Sequence, residues 1–257
     1  MINEQLHKTP VALDRVKHRA LKLDRTASDM TRLKQLNSFF VSVGEFAEAC
    51  KDFPIVWVVV GKGEDGKAQV APLAVFGVVP NQNLCIEGDQ WRVRYVPAML
   101  RFYPFAVART SPSEMVLCVD ESWKGLGNDS GDALFKPDGE PTELTLGVNQ
   151  QLQDLEVDVE RTRLVGDKLM SLGLLREMRF DATLPDGQTL KVDGFLTIDE
   201  EKLGKLSDGD VVDLARGGVL GLIHAHQISM SNMARLAEWH AARVADDAAA
   251  NPAASAI

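Results

Sequence analysis

The sequence lacks long apolar stretches, and this absence bears on membrane insertion. A transmembrane helix needs about 20 consecutive apolar residues, and no run in the chain approaches that length. The N-terminal residues also lack the apolar core of about 7–15 residues that a secretory signal contains. We therefore expect a soluble globular protein of the cytoplasm without a membrane span.

Cysteine and positive charge are scarce as well. The cysteines Cys50, Cys85 and Cys118 are odd in number, far apart and set among apolar neighbours, which predicts buried reduced thiols and not disulfides or a zinc cluster. The net charge of −9 disfavours nucleic acid as a partner, because affinity for phosphates depends on basic side chains. We expect no metal, no cofactor and no nucleic-acid partner.

Motifs with known chemistry are missing too, although two histidines need consideration. On a helix, His224 and His226 would point about 200° apart and could not bind one metal ion together. On a strand they would share a face, and a metal site would again be possible. The simpler interpretation of His226 is a buried histidine that is hydrogen-bonded to the backbone. No nucleophile motif surrounds Ser229, so catalysis has no positive support.

The first half of the chain has the alternating and apolar segments of an antiparallel β-meander. The continuous apolar run Ile55–Val60 is typical of a central strand, and the glycine-rich loop after it lacks a phosphate-binding motif. We predict an edge strand at His18–Leu23 and a short helix between Asn37 and Lys51. Further strands are predicted at Val70–Val79, Leu84–Ile86 and Trp91–Tyr95, with a closing hairpin of Phe105–Arg109 and Glu114–Asp120.

Aromatic side chains, arginines and prolines concentrate in one stretch, Trp91–Phe105. Pro97 and Pro104 delimit a short helix, and Arg101 lies four residues after Pro97 on it. We interpret the stretch as a corner of the fold that offers contacts to a ligand or partner. The alternative is that these side chains only hold the corner. The candidate binding residues of the whole chain are Trp91, Arg94, Tyr95, Arg101, Tyr103 and His226.

The second half changes to a helical period after a turn-rich segment, 121–141, which we interpret as a linker. Apolar residues recur every three or four positions from Val148 to Leu172, which predicts a long amphipathic helix ending near Gly173. A hairpin follows at Glu177–Leu184 and Thr189–Ile198, with a turn at Pro185–Gly187. Helices are then predicted after caps at Asp199 and at Ser207 or Asp208, and over Val219–Ala245.

Several short motifs occur along these segments. They are His18-Arg19, Asp52-Phe53-Pro54-Ile55-Val56, Tyr95-Val96-Pro97-Ala98, Arg101-x-Tyr103-Pro104-Phe105, Val119-Asp120 and Ala225-His226-x-x-Ser229. Together these motifs resemble the bacterial SapC family, which is named after surface-layer proteins. The resemblance runs nearly end to end, although Phe102 stands where a second arginine is expected, so no role needing two adjacent cations is implied. It implies no established reaction, but members often occur beside outer-membrane uptake receptors and flavin-dependent tryptophan-halogenase-like enzymes, which implies accessory work.

We therefore expect an α+β protein in which an antiparallel β-meander is followed by a helix–hairpin–helix half packed against it. The predicted parts are a β half (1–135), a helical half (136–245) and a disordered tail (246–257), and the two halves could share one core. The predicted function is non-catalytic binding or accessory work on a small molecule, a peptide or a partner protein. The alternatives are an enzyme that modifies an aromatic or peptidic substrate, and a surface-layer structural protein.

Overall fold

The structure, a computed structural model, describes residues 2–250 except 28, 64–65, 112–113, 184–186 and 188. The chain forms two compact units, each built from several segments. The described residues of unit 1 fall within 2–33, 88–90 and 98–159, and those of unit 2 within 34–87, 91–97 and 160–250. The boundary expected at residue 135 stays a prediction.

Helices and strands are mixed along the chain. The strands are β1 (Pro10–Ala12), β2 (Lys22–Leu23), β3 (Ser38–Phe40), β4 (Ile55–Lys62), β5 (Ala68–Val75), β6 (Ile86–Glu87), β7 (Gln90–Trp91), β8 (Phe105–Ser111), β9 (Glu114–Asp120), β10 (Leu126–Gly127), β11 (Asp132–Ala133), β12 (Leu175–Thr183) and β13 (Thr189–Ile198). The helices are α1 (Phe46–Asp52), α2 (Ala98–Phe102), α3 (Glu143–Ser171), α4 (Glu200–Leu203), α5 (Asp208–Arg216), α6 (Val219–Ser229) and α7 (Asn232–Ala250).

This composition confirms the predicted α+β class. Helices account for 37% and strands for 28% of the chain, and the sheets are antiparallel with helices packed against them. None of the described helices is both long and apolar enough to cross a membrane. Cys50, Cys85 and Cys118 are buried and unpaired, as predicted, and burial raises the pKa of Cys85 to about 12.

Unit 1 is built around a three-stranded sheet in the order β1-β9-β8. The predicted hairpin is present as β8 and β9, with Phe105 opposite Val119, and its turn at 112–113 lies outside the described residues. Alternate side chains of the two strands enter the core because successive side chains of a strand point to opposite faces. The buried cluster of this unit consists of Leu23, Phe105, Val107, Val119, Leu134, Phe135 and Leu152.

A second small sheet of unit 1 pairs β2 with β10 and β11. The edge strand predicted at His18–Leu23 is therefore wrong in extent, because only Lys22 and Leu23 are extended. The residues before them form turns, in which the backbone N–H of His18 donates to the carbonyl oxygen of Asp14 at 2.9 Å. The turn-rich segment 121–141 contains β10 and β11, and it contributes Leu134 and Phe135 to the core.

Unit 2 contains a five-stranded sheet in the order β12-β13-β4-β5-β3. The predicted central strand is β4, whose first residues are buried and whose Trp57 pairs with Pro72 of β5. The predicted C-terminal hairpin is present as β12 and β13, and β13 joins β4 at the pair Leu196–Trp57. The turn predicted at Pro185–Gly187 lies largely outside the described residues.

Two predictions for unit 2 are wrong at places where a side chain bonds a backbone N–H group that is distant in sequence. The strand predicted at Trp91–Tyr95 ends at Trp91, since the N–H groups of Arg94 and Tyr95 donate to the Asp52 carboxylate at 3.1 and 2.7 Å. The helix predicted over Val219–Ala245 is divided into α6 and α7. At the break, Ser229 accepts a hydrogen bond from the N–H of Ile55 at 2.9 Å.

The helix predicted between Asn37 and Lys51 is also wrong in its first part. Ser38–Phe40 is a strand that pairs with β5, and Phe39 lies opposite Ala74. The helix α1 begins only at Phe46. A single 3₁₀ turn, Val43–Glu45, precedes it, and Ser42 and Glu45 form a capping box at the start of this turn. At the other end of the chain, α7 extends to Ala250, and residues 251–257 lie outside the described part.

Candidate functional site

The surface of unit 1 contains a cleft of about 600 Å³, which we call the unit 1 cleft. It combines aromatic side chains with charged groups of both signs, a mixture that is typical of ligand sites. Three stretches of the chain and one helix supply its walls. The lining residues are Leu23, Asp24, Arg25, Ala27, Arg101, Phe102, Tyr103, Pro104, Phe105, Trp123, Glu143, Leu144, Gly147, Val148 and Gln151.

Tyr103 reaches the cleft because it lies between a helix and a strand. The helix α2 ends at Phe102, a cis peptide bond joins Tyr103 to Pro104, and β8 begins at Phe105. The Tyr103 hydroxyl accepts a hydrogen bond from Arg32 Nη1 at 2.8 Å and donates one to Asp120 Oδ2 at 3.1 Å. The hydroxyl end of this side chain is therefore held by two partners.

Asp120, at the end of β9, is the centre of a buried hydrogen-bond network. Its side chain is 0% exposed, and its two oxygens accept hydrogen bonds from six donor groups. Oδ1 receives them from Thr9 N (3.0 Å), Ser122 N (3.1 Å) and Ser122 Oγ (2.6 Å), and Oδ2 from Lys8 N (2.9 Å), Tyr103 Oη (3.1 Å) and Arg32 Nη1 (3.2 Å). The carboxylate thereby fixes both the N-terminal segment and the cleft tyrosine.

The same network shifts the acidity of the two groups in opposite directions. Burial by itself would raise the pKa of Asp120, but hydrogen bonds from Ser122, Lys8 and Thr9 outweigh it and hold that pKa well below the usual range. Burial and the negative charge of Asp120 raise the pKa of Tyr103 to about 12. At neutral pH the carboxyl group is ionised and the phenol is protonated, so neither is tuned to exchange protons there.

Trp123 extends the fixed aromatic surface of the cleft. Its ring meets Tyr103 edge to face, with centroids 5.1 Å apart and an interplanar angle of 80°. Tyr103 also packs on the His7 ring, and the centroids of these two rings lie 5.6 Å apart. Burial lowers the pKa of His7. Edge-to-face packing is a favourable arrangement of aromatic rings, and we refer to Tyr103 and Trp123 as the aromatic wall.

Gly125 allows the aromatic wall to form, and substitution there should destabilise the protein. A Cβ atom at this position would come within 2.5 Å of Trp123 Nε1 and 2.9 Å of the Asp24 carbonyl oxygen. We expect Gly125→Ala to lower the free energy of unfolding by about 1–3 kcal/mol through this overlap. Urea unfolding measures the change. Gly127→Ala is the matched control, since a Cβ there meets no described atom within 4 Å; an equal loss in both variants would contradict the prediction.

A larger depression in unit 2, of about 1210 Å³, is a weaker candidate. Its helical wall belongs to α3 and carries charged side chains that pair with neighbouring side chains. Arg163 bonds Asp167 at 2.6 Å, and Lys168 bonds Asp213 at 2.7 Å. These are solvent-exposed ion pairs, which are typical of an ordinary protein surface.

The remaining predicted site residues lie in unit 2, whereas Arg101 and Tyr103 line the unit 1 cleft. Trp91 packs edge to face on Phe76, with centroids 5.6 Å apart. The Tyr95 hydroxyl donates to Glu45 Oε1 at 2.8 Å, and Arg94 is exposed. These contacts hold the segment around β7 in unit 2.

His226 has the environment that the simpler interpretation predicts. The side chain is 1% exposed, and its Nε2 accepts a hydrogen bond from the Ile198 N–H at 3.3 Å and lies 2.9 Å from Thr197 Oγ1. Burial lowers its pKa to about 4, so the ring is neutral at pH 7. His224, on the same helix, is exposed, and within the described residues no group of three or more His, Cys, Asp or Glu side chains could hold a metal ion.

Comparison with protein-family models identifies the family of this chain. The SapC family model matches residues 13–236 of the chain. This protein belongs to the SapC family. A search of curated proteins and a search of solved structures each found no match.

The motifs that suggested the SapC family can now be given positions. Asp120 of Val119-Asp120 is the network centre, and Tyr103 carries the cleft hydroxyl. In unit 2 of this SapC-family protein, the Asp52 carboxylate accepts hydrogen bonds from the N–H groups of residues 94 and 95. The Ser229 hydroxyl accepts one from the N–H group of Ile55. Many motif residues therefore support the backbone and do not line the cleft.

Sequence reasoning missed Trp123 and the α3 wall of the unit 1 cleft, and it missed Arg32, which holds Tyr103. A weak signal existed for Asp120, since an Asp followed two residues later by Ser122 after an apolar strand is typical of a local turn. Arg32 gave no signal, because its contacts with Tyr103 and Asp120 span 71 and 88 residues of chain.

Proposed function

We propose that this SapC-family protein is a non-catalytic binding protein that holds a small molecule or a peptide segment in the unit 1 cleft. The observation that supports this proposal most is the aromatic wall. Tyr103 is fixed by Arg32 and Asp120, Trp123 packs on it, and the volume of about 600 Å³ lies in the usual range of ligand sites. Because the rings are already held, a ligand would bind without the entropic cost of ordering them.

The polar rim would orient such a ligand. Arg101 is exposed at the cleft, and its planar guanidinium group suits a carboxylate or an amide oxygen. Gln151 on α3 adds an amide that both donates and accepts hydrogen bonds. We propose Arg101 and Tyr103 as ligand contacts, while binding roles for Trp91, Arg94, Tyr95 and His226 stay predictions.

The acidity of the buried groups supports binding over proton transfer. An efficient general acid or base has a pKa near the working pH. The pKa of Tyr103 is raised to about 12 by burial, and hydrogen bonds hold that of Asp120 far below neutrality. An enzyme acting on an aromatic or peptidic substrate, and a surface-layer protein, remain the alternatives; a cytoplasmic location stays a prediction that cell fractionation tests.

A fragment screen by NMR tests the proposed site. The indole N–H signal of Trp123, assigned through Trp123→Phe, reports on the cleft, and the library contains aromatic acids, aromatic amides and aliphatic amides. We expect some fragments to shift this signal, because the indole lines the cleft.

Two helix variants decide whether those shifts come from the cleft. Gln151→Trp places a large side chain in the cleft and should abolish the shifts. Gln150→Trp, one position earlier on α3 and not among the lining residues, should leave them intact. A library that never moves the Trp123 signal, or shifts that persist in Gln151→Trp, would overturn the proposal.

A further inference from the structure

Gly147 occupies an unusual position for a glycine. It lies in the second turn of α3, lines the unit 1 cleft and is exposed. Glycine is, after proline, the least favourable residue inside a helix, because it loses the most backbone freedom on folding. A reason for glycine at this position must therefore come from the surroundings.

Packing within the described residues gives no such reason. A Cβ atom at Gly147 would meet no described atom within 4 Å. Gly166, farther along the same helix, differs, since a Cβ there would lie 3.0 Å from Val70 Cγ2 and 3.4 Å from Trp57 Cζ3. Glycine is explained at residue 166 by packing against a neighbour, whereas residue 147 presents bare backbone to an open cleft.

The other cleft residues indicate what could lie on that backbone. Phe102, Tyr103 and Trp123 supply aromatic surface, and aromatic rings pack well on one another. The charged lining residues are two arginines and two acidic residues, and Arg25 is already bonded to Asp132 at 2.8 Å. The cleft therefore selects neither sign of charge, which favours a ring with uncharged amide groups.

We propose that the unit 1 cleft binds the aromatic ring of an N-acylated aromatic amino-acid amide, with the ring against the α3 backbone at Gly147. The proposal rests on the proposed function and gives the ligand a chemical class. Two sources share this chemistry: a peptide chain with an aromatic residue, and a free small molecule. A methyl group at residue 147 would occupy the place of the ring.

Binding of capped amino acids to the full-length protein tests the class of ligand. The probes are N-acetyl-phenylalaninamide, N-acetyl-leucinamide and N-acetyl-alaninamide, and the Trp123 indole signal gives each affinity. We expect the phenylalanine probe to bind about tenfold or more tightly than the other two, on the scale of specificity that pocket contacts provide. Equal affinities for all three probes would overturn the aromatic assignment.

Two glycine variants test the position of the ring. Gly147→Ala should raise the melting temperature by about 2–4 °C, as expected for a helix-favouring change in a chain of this size. It should also weaken the phenylalanine probe about tenfold. Gly221→Ala on α6, where a Cβ likewise meets nothing within 4 Å, should raise the melting temperature and leave binding unchanged.

The outcomes separate this proposal from the proposed function. If Gly147→Ala keeps full affinity for the phenylalanine probe, the ring does not lie at Gly147, and the proposal fails while the cleft remains a binding site. If neither the probes nor the fragments shift the Trp123 signal, both fail. A capped tripeptide with a central phenylalanine assigns the source, since tighter binding supports a peptide ligand and equal binding supports a small molecule; both results are consistent with the ring contact.

Discussion

Asp120→Asn is expected to lower the free energy of unfolding by about 3–5 kcal/mol, the usual cost of removing one partner from a buried charged network. One oxygen of the side chain becomes an NH₂ group and faces hydrogen-bond donors. Depending on the orientation of the amide, either the donors on Oδ1 (Thr9 N, Ser122 N and Ser122 Oγ) or those on Oδ2 (Lys8 N, Arg32 Nη1 and Tyr103 Oη) lose their acceptor. Urea unfolding at pH 7 measures the loss.

Exposed Asp14 provides the matched control for Asp120. Its carboxylate also accepts two backbone N–H groups, from Val16 and Lys17, but it lies at the surface. Asp14→Asn should destabilise the protein much less than Asp120→Asn, because water can replace the hydrogen bonds that are lost at the surface. If the two variants lose similar stability, the buried network around Asp120 does not have the importance that the structure assigns to it.

The contribution of Asp120 to the free energy of unfolding should decrease as the pH falls. Its pKa is held below the ordinary value for an aspartate, so the unfolded chain takes up this proton at a higher pH than the folded protein. The stabilisation is fully present above the unfolded value, about pH 4, and declines as the pH falls below it. The difference between the wild type and Asp120→Asn should therefore narrow from pH 4 towards pH 2.

His226 should make the protein less stable as the pH falls from about 6.5 to 4. Burial lowers its pKa to about 4, below the ordinary value of about 6.5, so the unfolded chain binds this proton first. The contribution of neutral His226 to the free energy of unfolding is complete above about pH 6.5 and is lost progressively down to about pH 4. The gap between the two pKa values corresponds to about 3 kcal/mol.

Urea unfolding of His226→Gln between pH 7 and pH 4 isolates this contribution. The stability difference between wild type and variant should shift by about 3 kcal/mol over this range in favour of the variant, because glutamine does not titrate. His224→Gln, at an exposed position two residues earlier on α6, is the matched control. A constant difference for His226→Gln would show that His226 does not titrate as its burial predicts.

These expectations bear on the binding model. His226 and Asp120 both serve as hydrogen-bond acceptors for backbone N–H groups, one in each unit. Side chains with this role hold together segments that are far apart in sequence. Asp120 also bonds Tyr103, so we expect damage to the Asp120 network to weaken ligand binding through the position of the aromatic wall.

Local features of the fold could be predicted from the sequence because their signals lie within a few residues. The period of three and four residues in α3, the hairpins β8–β9 and β12–β13, and the caps are examples. The side chain of Asp199 accepts a hydrogen bond from the N–H group of Lys202, and the side chain of Ser207 accepts one from the N–H group of Asp210. Both are the hydrogen bonds of helix N-caps. Gly218, which precedes α6, has a positive φ of 74°, which glycine adopts without steric cost.

The cleft and the interruptions of regular structure were decided by tertiary contacts. The segment 91–95 has a strand pattern, but the Asp52 carboxylate binds its N–H groups across more than 40 residues. The aromatic wall depends on Arg32 and Asp120, which lie 71 and 17 residues from Tyr103. The sequence determined most of the helical and extended segments, because those preferences are local. Which buried polar groups meet depends on how the chain folds back on itself, because each such group needs a partner wherever the fold places one.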